Sequence, residues 1–419
     1  MSRSRVVVLP ALLLLAAAPA AASTPDLFGL GSPAAAAAGA VAATAADFSA
    51  CFHDPAGLAA ADRPSLHLGW SAIDARLRAG SRNVDLDHAG GFDLGFDLPL
   101  ALPLPWLPGI AFGLAVHAPP AAVVAVRARP PDEPAFPYYE GRTARWVVLP
   151  AVALRLPAGW SVGAALDLFA GIRGPFELRE GSTGAVEGRA ASEMYSTAAP
   201  IVGLRWTPFE ALALAVVWRA EFSAPAAAAA SVEAGGASTG LTASIAGLFR
   251  PHTLSLGVAW TPRRGNLELD LSWARWSAFR GAVADVAAEL QGVRIDPREV
   301  ELPFRDAFGV RVGGEFRFAP GGVGFALRGG YAFESRILPE DAAGAARLDG
   351  DRHRIAAGFG LGLDLDDGTA LRLDGHLAAE WIAGASALVP AADPAAPAER
   401  VEGRGVVLAA GAALGVEWR

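Results

Sequence analysis

The feature that most constrains this chain is an alternation of apolar and polar residues along long segments of its second half. In residues 266–277 the two kinds of side chain take alternate positions, Leu267, Leu269, Leu271 and Trp273 against Glu268, Asp270 and Ser272. The same pattern recurs in residues 305–318, 322–334 and 369–382. Because successive side chains of a β-strand point to opposite faces, this pattern predicts strands with one apolar and one polar face.

Segments of this kind can be placed along most of the chain. They run roughly 10 to 14 residues, about twice the length of an ordinary strand, which is enough for a tilted strand to cross a bilayer. Their number is even, as single-chain bacterial barrels require. The fourteen predicted strands are 65–78, 88–98, 109–117, 144–156, 160–172, 197–206, 211–222, 251–260, 266–277, 305–318, 322–334, 352–364, 369–382 and 403–418.

The connections between these strands alternate in length. Short ones such as "PAG" (157–159) and "TPRRG" (261–265) contain Pro or Gly, whereas the long ones are 118–143, 173–196, 223–250, 278–304, 335–351 and 383–402. Short turns at one rim and long loops at the other are typical of outer-membrane barrels, and a soluble β-sandwich has no reason to keep this parity. Aromatic residues expected in an interfacial girdle fall beside the short turns, namely Trp160, Trp206, Trp260, Phe318 and Trp418. We therefore predict an all-β fold, a 14-stranded antiparallel transmembrane β-barrel over residues 65–419.

The beginning of the sequence predicts export. Arg3 and Arg5 precede an apolar run that ends in small residues, which is typical of a secretory signal peptide over residues 1–22. The net charge of −8 gives no reason to expect nucleic acid as a partner, and a single cysteine excludes an intrachain disulfide. No segment is apolar enough over 18 or more residues to be a confident transmembrane helix. An exported apolar chain of this kind is either a large soluble β protein or a barrel of the bacterial outer membrane.

The polar faces of the later strands are expected to line the lumen, because the apolar faces meet lipid. Six residues are candidate lumen-facing polar residues on this basis: Arg311, Glu315, Arg328, Arg372, Asp374 and His376. Two alternatives stay open. The same residues would form the solvated face of a soluble sheet, and inside a barrel such charges more often form structural networks than a ligand site.

The stretch "DFSACFHDPAGLA", residues 47–59, places Cys51 beside His53 and Asp54. Catalytic Cys, His and Asp residues usually come from distant parts of a chain, and a metal site needs more ligands than these, so neither catalysis nor metal binding is expected here. Residues 23–64 do not alternate and are rich in small residues. We expect this segment, the N-terminal hatch, to fold into the lumen as a plug.

The sequence resembles the FadL/TodX family of outer-membrane transporters for hydrophobic compounds over nearly all of the predicted mature chain. The Ala- and Gly-rich stretch 31–59 resembles the family's N-terminal hatch, and Asp54-Pro55-Ala56 matches its Asn-Pro-Ala motif with Asp in place of Asn. Further resemblance lies in residues 269–279 and in segments between 310 and 363.

The resemblance implies a 14-stranded barrel closed by a hatch and passive uptake of long-chain fatty acids or aromatic hydrocarbons. It implies a hydrophobic or fatty-acid ligand, contact with outer-membrane lipid and lipopolysaccharide, insertion by the barrel-assembly machinery, a monomer, and no cofactor. A side opening at a kinked third strand is also implied, and Gly109 and Gly113 would permit such a kink here.

Two other functions are weighed against transport. An outer-membrane enzyme would need a nucleophile motif near a histidine, and none is found near His252, His353 or His376. A structural or adhesive barrel without transport is the second alternative. Lipid that copurifies with the protein would favour transport, and hydrolysis of an ester would favour the enzyme.

Overall fold

The computed structural model describes residues 24–84, 89–119, 133–139, 146–180, 186–190, 193–234, 237–279, 285–290, 293–295, 302–343, 345–365, 368–389 and 397–418. The predicted signal peptide, residues 1–22, lies outside the described residues.

Fourteen antiparallel strands form a closed barrel, as predicted. The barrel closes because the first strand pairs with the last, from Ser65–Glu417 to Ala79–Gly403. The strands are β1 Ser65–Ala79, β2 Ala89–Leu104, β3 Leu107–Ala118, β4 Val147–Arg155, β5 Trp160–Glu180, β6 Glu193–Phe209, β7 Leu212–Arg219, β8 Thr253–Trp260, β9 Gly265–Ala274, β10 Ala307–Phe318, β11 Val323–Glu334, β12 Asp351–Asp364, β13 Ala370–Val389 and β14 Glu399–Glu417.

The two faces of the wall follow the sequence alternation. In β9 the apolar Leu267 and Leu269 are 53% and 43% exposed, whereas Glu268 and Asp270 are 1% and 3% exposed. Exposed Leu, Val, Phe and Trp side chains recur around the barrel and form the apolar belt that a lipid-facing wall requires. Stacked Trp160 and Trp206 lie at the end of the barrel that carries the short turns.

Several segments that the sequence analysis left between its predicted strands also form strands. They are Arg82–Val84, Val186–Ala190, Phe222–Ala234, Ala237–Arg250, Asp285–Leu290, Val293–Ile295 and Ala342–Ala343, and β5 and β6 also extend into the connection 173–196. Alternation could not indicate these strands, because runs such as residues 226–230 are all alanine and carry no difference between faces.

An aromatic and aliphatic core closes the end of the barrel that carries the long connections. We call it the long-loop core; its members include Tyr138, Tyr139, Trp276, Phe279 and Ile337. Two hatch residues, Leu27 and Phe28, belong to the same cluster. The first residues of the hatch therefore pack against this core from inside the barrel.

The hatch folds into short helices inside the barrel: α1 Pro25–Phe28, α2 Ser32–Ala36, α3 Ala50–His53 and a 3₁₀-helix at Pro55–Ala60. The helices are short because Gly29, Gly31 and Gly39 adopt positive φ and turn the chain between them. Among the described residues, no helix is long and apolar enough to cross a membrane.

The hatch meets two different sides of the lumen. On one side its residues Phe48, Cys51, Phe52 and Leu58 pack against small and aliphatic side chains of β3 to β7; we call this set the apolar hatch cluster, and its wall members include Ala111, Ala115, Val147, Leu149, Ala153, Ala165, Ile201 and Val217. On the other side the hatch meets polar side chains of β9, β10 and β13.

Candidate functional site

The Asp54-Pro55-Ala56 motif is fixed to the barrel wall by a buried arginine. Asp54 precedes the 3₁₀-helix and accepts a hydrogen bond from the Ala56 amide at 3.1 Å, as expected of a capping carboxylate. Its other oxygen lies 3.2 Å from Nε of Arg205 on β6, and both side chains are buried. Arg205 Nη2 also donates to the Ala45 carbonyl at 2.7 Å. One arginine therefore links two turns of the hatch to the wall.

Two glycines of the wall make room for the motif. Gly163 on β5 lies against the backbone of Pro55 and Ala56, and a Cβ there would overlap it. Gly203 on β6 lies against Asp54, and a Cβ there would overlap the Oδ1 atom. Burial raises the pKa of Asp54, whereas the Arg205 guanidinium and the Ala56 amide oppose this rise.

Cys51 and His53 face different partners from Asp54. The Cys51 thiol is buried against Gly113 of β3, where a Cβ would come within 2.6 Å of Sγ, and burial raises the pKa of this thiol. His53 Nε2 lies 3.3 Å from the Leu30 amide, and burial together with Arg219 lowers the pKa of His53 to about 3. The three side chains make no catalytic arrangement, and the described residues contain no group of three metal-ligating side chains.

A pair of carboxylates on β9 binds the middle of the hatch. Glu268 Oε1 accepts a hydrogen bond from the Ala43 amide at 2.5 Å, and Asp270 Oδ2 accepts from the Val41 and Ala42 amides at 3.1 and 3.2 Å. These contacts satisfy consecutive backbone donors that no helix or strand pairs, which is why the acidic side chains are tolerated inside the barrel.

A cavity of about 140 Å³ lies between the hatch and the long-loop core; we call it the upper cavity. Its lining combines arginines with aromatic rings: Arg219, Arg250, Arg311, Arg354, Phe28, Phe52 and Trp276. Two of these arginines lie over hatch rings, Arg219 at 4.0 Å from the Phe52 centroid and Arg354 at 4.3 Å from the Phe28 centroid. These cation–π contacts keep the guanidinium groups at the cavity surface.

Arg250, one of the arginines of the upper cavity, has buried donors without a hydrogen-bond partner. It is 6% exposed and its Nη1 donates to Asp167, whereas its buried Nε and Nη2 have no hydrogen-bond partner. Asp270 Oδ1, also in the lining, is likewise buried and unpartnered. Buried polar groups are nearly always hydrogen-bonded, so unpartnered polar atoms on residues that line a cavity indicate where a polar part of a ligand or water would bind.

The six polar residues predicted for the lumen lie in three places. Arg311 lines the upper cavity, 3.1 Å from Ser272 Oγ. His376 Nδ1 lies 3.1 Å from Ser32 Oγ of the hatch. The other four line a wider lower cavity of about 900 Å³ on the short-turn side of the hatch: Glu315, Arg328, Arg372 and Asp374.

The four residues of the lower cavity are engaged with other charges. Arg328 lies 2.5 Å from both Glu315 and Asp374, and Arg372 lies 3.0 Å from Glu417. Gly360 and Gly362 give these arginines room. The lower cavity therefore has a charged wall that a hydrocarbon chain would not favour.

Gly109 and Gly113 lie in a strand that is paired along both edges. The ladder from β3 to β4 runs without a break from Gly109–Arg155 to His117–Val147, and the ladder to β2 is regular from Gly109 to Ala118. Gly113 instead gives space to Cys51 and Leu58 of the hatch. The expected kink is not seen at these two glycines.

The residues that bind the hatch and line the upper cavity were not singled out by sequence reasoning. Arg205, Arg219 and Arg354 lie in β6, β7 and β12, and Arg250 ends the strand Ala237–Arg250. Arg205, Arg219 and Arg250 each follow apolar residues, and such a charge inside a barrel needs a partner or a role, whereas Arg354 is hidden in the charged run 349–354.

No family model matches this chain, and no curated protein matches it. Solved structures do match in fold. A Pseudomonas aeruginosa FadL homologue is 15% identical with a TM-score of 0.58, covering 93% of this chain and 98% of that one. The CymD monoaromatic hydrocarbon channel is 13% identical, at 0.59, covering 94% and 98%. The P. putida toluene transporter TodX is 15% identical, at 0.57, covering 94% and 100%. The expected resemblance to FadL and TodX is confirmed at the level of the fold.

Proposed function

We propose that this protein takes up hydrophobic molecules passively across the bacterial outer membrane. The observation that carries the proposal is the upper cavity, which lies between the hatch and the long-loop core and combines aromatic rings with free guanidinium donors. The proteins of similar fold named above include channels for toluene and monoaromatic hydrocarbons, which supports a hydrophobic ligand. In the proposed orientation the long connections face outward and the short turns face the periplasm.

A hydrophobic ligand crosses the outer membrane most easily by a route that keeps its chain out of water. A hydrocarbon chain gains about 0.8 kcal/mol for each CH2 group that leaves water, and it loses this gain in an aqueous pore. The hatch and the charged lower cavity oppose a straight route to the periplasm. A route along the apolar hatch cluster and sideways into the bilayer keeps the chain away from water, so we include lateral exit in the proposal.

The charge of the upper cavity favours an amphiphile with an anionic headgroup, such as a fatty acid, over a neutral hydrocarbon. Arg250 offers two unpartnered donors, and the lining holds four arginines against three acidic residues, Asp26, Asp270 and Glu334. Hydrogen bonds between a guanidinium and a carboxylate are among the strongest in proteins. The aromatic rings of Phe28, Phe52 and Trp276 would contact the first carbons of the chain.

The remaining partners follow from the same proposal. The exposed apolar belt would contact outer-membrane lipid and lipopolysaccharide, and insertion would need the barrel-assembly machinery. The barrel closes within one chain, which supports a monomer. The hatch role of Asp54, Pro55 and Ala56 is likewise proposed, on the strength of the Arg205 contact.

The test is uptake of radiolabelled oleate and toluene by cells that express the protein, compared with cells carrying the empty vector. Mass spectrometry of lipid extracted with the purified protein would identify a natural ligand class. We expect faster oleate uptake and copurified fatty acid. Unchanged uptake of both compounds by a folded, surface-exported barrel would favour a structural or adhesive role, and ester hydrolysis would favour an enzyme.

A further inference from the structure

The barrel wall has one break in its hydrogen-bond ladders that no turn or inserted residue explains, among the described residues. Between β4 and β5 the pairs run regularly from Arg155–Ser161 to Ala151–Ala165 and resume at Val148–Leu168. The two pairs that would lie between them are missing. We call this place the β4–β5 seam.

Proline causes the seam. Pro150 has no N–H group and so cannot donate to the facing Leu166 carbonyl, and proline is normally excluded from the interior of a sheet. A second proline, Pro200, faces Leu166 from the other neighbouring strand. Pairing of β6 with β7 ends at Ile201–Arg219, where β7 itself ends, and the Pro200 carbonyl still accepts a hydrogen bond from the Ala220 amide at 2.9 Å. The weakness at this level therefore comes from Pro150, because the ladder between β5 and β6 runs unbroken through Leu166–Pro200.

Other irregularities of the wall differ from this one. The break between β13 and β14, at Ile382 and Ala385, is a bulge with an extra residue beside the long-loop core. Pro99 on β2 lies beyond the end of β1, so its missing N–H removes no wall bond.

The seam is lined largely by apolar side chains, with the buried Asp167–Arg250 pair at its lumen face. Outside, Leu166 and Leu168 are 45% and 39% exposed on the lipid-facing side. Inside, Leu149 and Ala165 belong to the apolar hatch cluster. The 3₁₀-helix Pro55–Ala60 of the hatch packs over β4 and β5 from the lumen, so this helix covers the seam from inside.

The seam is also next to the upper cavity. Asp167, whose pairing with Leu149 is missing, receives the Nη1 hydrogen bond of Arg250, which lines that cavity. A ligand held by the free donors of Arg250 would thus have its headgroup one ion pair away from the opening.

We infer that the ligand leaves the barrel through the β4–β5 seam at Pro150, when the 3₁₀-helix of the hatch moves off it. This inference rests on the proposed uptake function and places the exit away from Gly109 and Gly113. The apolar lining lets a hydrocarbon chain pass from the hatch to the bilayer without entering water.

A reversible disulfide crosslink between β4 and β5 tests whether the ligand leaves through the seam. In a Cys51→Ser background, Ala151→Cys and Ala165→Cys stand opposite each other and would link β4 to β5. The matched control links two buried alanines on the other side of the barrel, Ala378→Cys and Ala409→Cys. Oxidation is expected to lower oleate uptake about tenfold in the first pair only, and reduction to restore it. Equal oleate uptake before and after oxidation of the first pair would overturn the inference that the seam is the exit.

A second variant avoids crosslinking. Pro150→Ala restores the missing donor, and one additional wall bond should make opening about fivefold rarer and slow uptake accordingly. Pro99→Ala is the matched control, since no residue of β1 faces it. Uptake by Pro150→Ala equal to that of the unchanged protein would contradict the inference.

Photolabelling separates this inference from the proposed function. A fatty acid with a diazirine near its methyl end, bound to the purified protein in lipid vesicles, is expected to label residues 149–151 and 165–168. Labelling elsewhere in the wall, such as in β13, would overturn the seam as the exit even if cells take up the fatty acid. Labelling of the seam without uptake in cells would keep the exit and reject the proposed function.

Discussion

The Arg205 guanidinium lies 3.2 Å from the Asp54 carboxylate, and this buried pair joins the hatch to strand β6 of the wall. The same guanidinium holds the Ala42 and Ala45 carbonyls, so three points of the hatch depend on one side chain. The barrel itself does not depend on it, because the strands close through backbone ladders. Loss of Arg205 should therefore release the hatch and leave the barrel intact.

Arg205→Ala tests this separation. Removing one partner of a buried pair leaves an uncompensated charge and costs about 3–5 kcal/mol, here at the expense of hatch docking. We expect a barrel that still shifts in gel mobility on heating, together with increased leakage of small hydrophilic antibiotics into cells. Arg76→Ala, at an exposed pair with Asp74, should behave like the unchanged protein. A leak-tight Arg205→Ala barrel would show that the hatch is held by other contacts.

Gly203→Ala should displace the motif by steric overlap. A Cβ at this position overlaps Asp54 Oδ1, and overpacking of this kind costs about 1–3 kcal/mol. Reaction of the buried Cys51 with a thiol reagent in folded barrels is expected to become faster. Gly324→Ala is the control, since its Cβ would come no nearer than 3.6 Å to another atom. The same slow labelling in both variants would argue against close packing at Gly203.

His53 should make docking of the hatch sensitive to acid. Its pKa is about 3 in the folded hatch and about 6.5 when released, so the released form binds a proton first as pH falls. Docking is thus strongest above about pH 6.5 and weakens progressively down to about pH 3. Asp54 has the opposite effect on hatch docking, because burial raises its pKa and the docked form therefore binds a proton first as pH falls.

Comparison with His53→Gln isolates the histidine. Dithiodipyridine reacts with thiols in mild acid, so its reaction with Cys51 reports hatch opening at about pH 5 and about pH 7. The increase in the rate of this reaction between about pH 7 and about pH 5 should be smaller in His53→Gln. Oleate uptake at neutral pH should stay largely intact in both His53→Gln and Cys51→Ser. Loss of uptake in folded Cys51→Ser would reopen a chemical role for the stretch 47–59.

The wall was predictable from sequence to a greater degree than the site. Alternation places Leu267 and Glu268 on opposite faces without any knowledge of neighbours, because the period of a strand is local. The contact between Arg205 and Asp54 joins residues 151 positions apart, and only the barrel's closure brings them together. The β4–β5 seam was hidden for a similar reason, since Pro150 weakens the wall only through its position opposite Leu166.

Sidedness can be tested by protease sites. A site inserted in the connection 278–304 should be cut from outside intact cells, and one in the short turn 261–265 should not. The expectation follows from long connections at the outer rim and short turns at the inner rim of such barrels. Equal cutting at both sites would mean that the proposed orientation is wrong.

Arg250→Met should weaken binding of an anionic amphiphile and spare a neutral one. Hydrogen bonds to charged groups contribute about 1.5–3 kcal/mol, so we expect oleate to bind roughly 10- to 100-fold more weakly to the purified protein. Binding of methyl oleate, which has the same chain without the charge, should change little.

Because Arg250→Met leaves Asp167 without this partner, the double variant with Asp167→Asn checks that the weaker oleate binding reflects the missing donors of Arg250. Arg372→Met, in the lower cavity beside Glu417, is the control for charge removal elsewhere in the lumen. Equal loss for oleate and methyl oleate would mean that the upper cavity selects by shape rather than by charge, and the preference for an anionic ligand would be wrong.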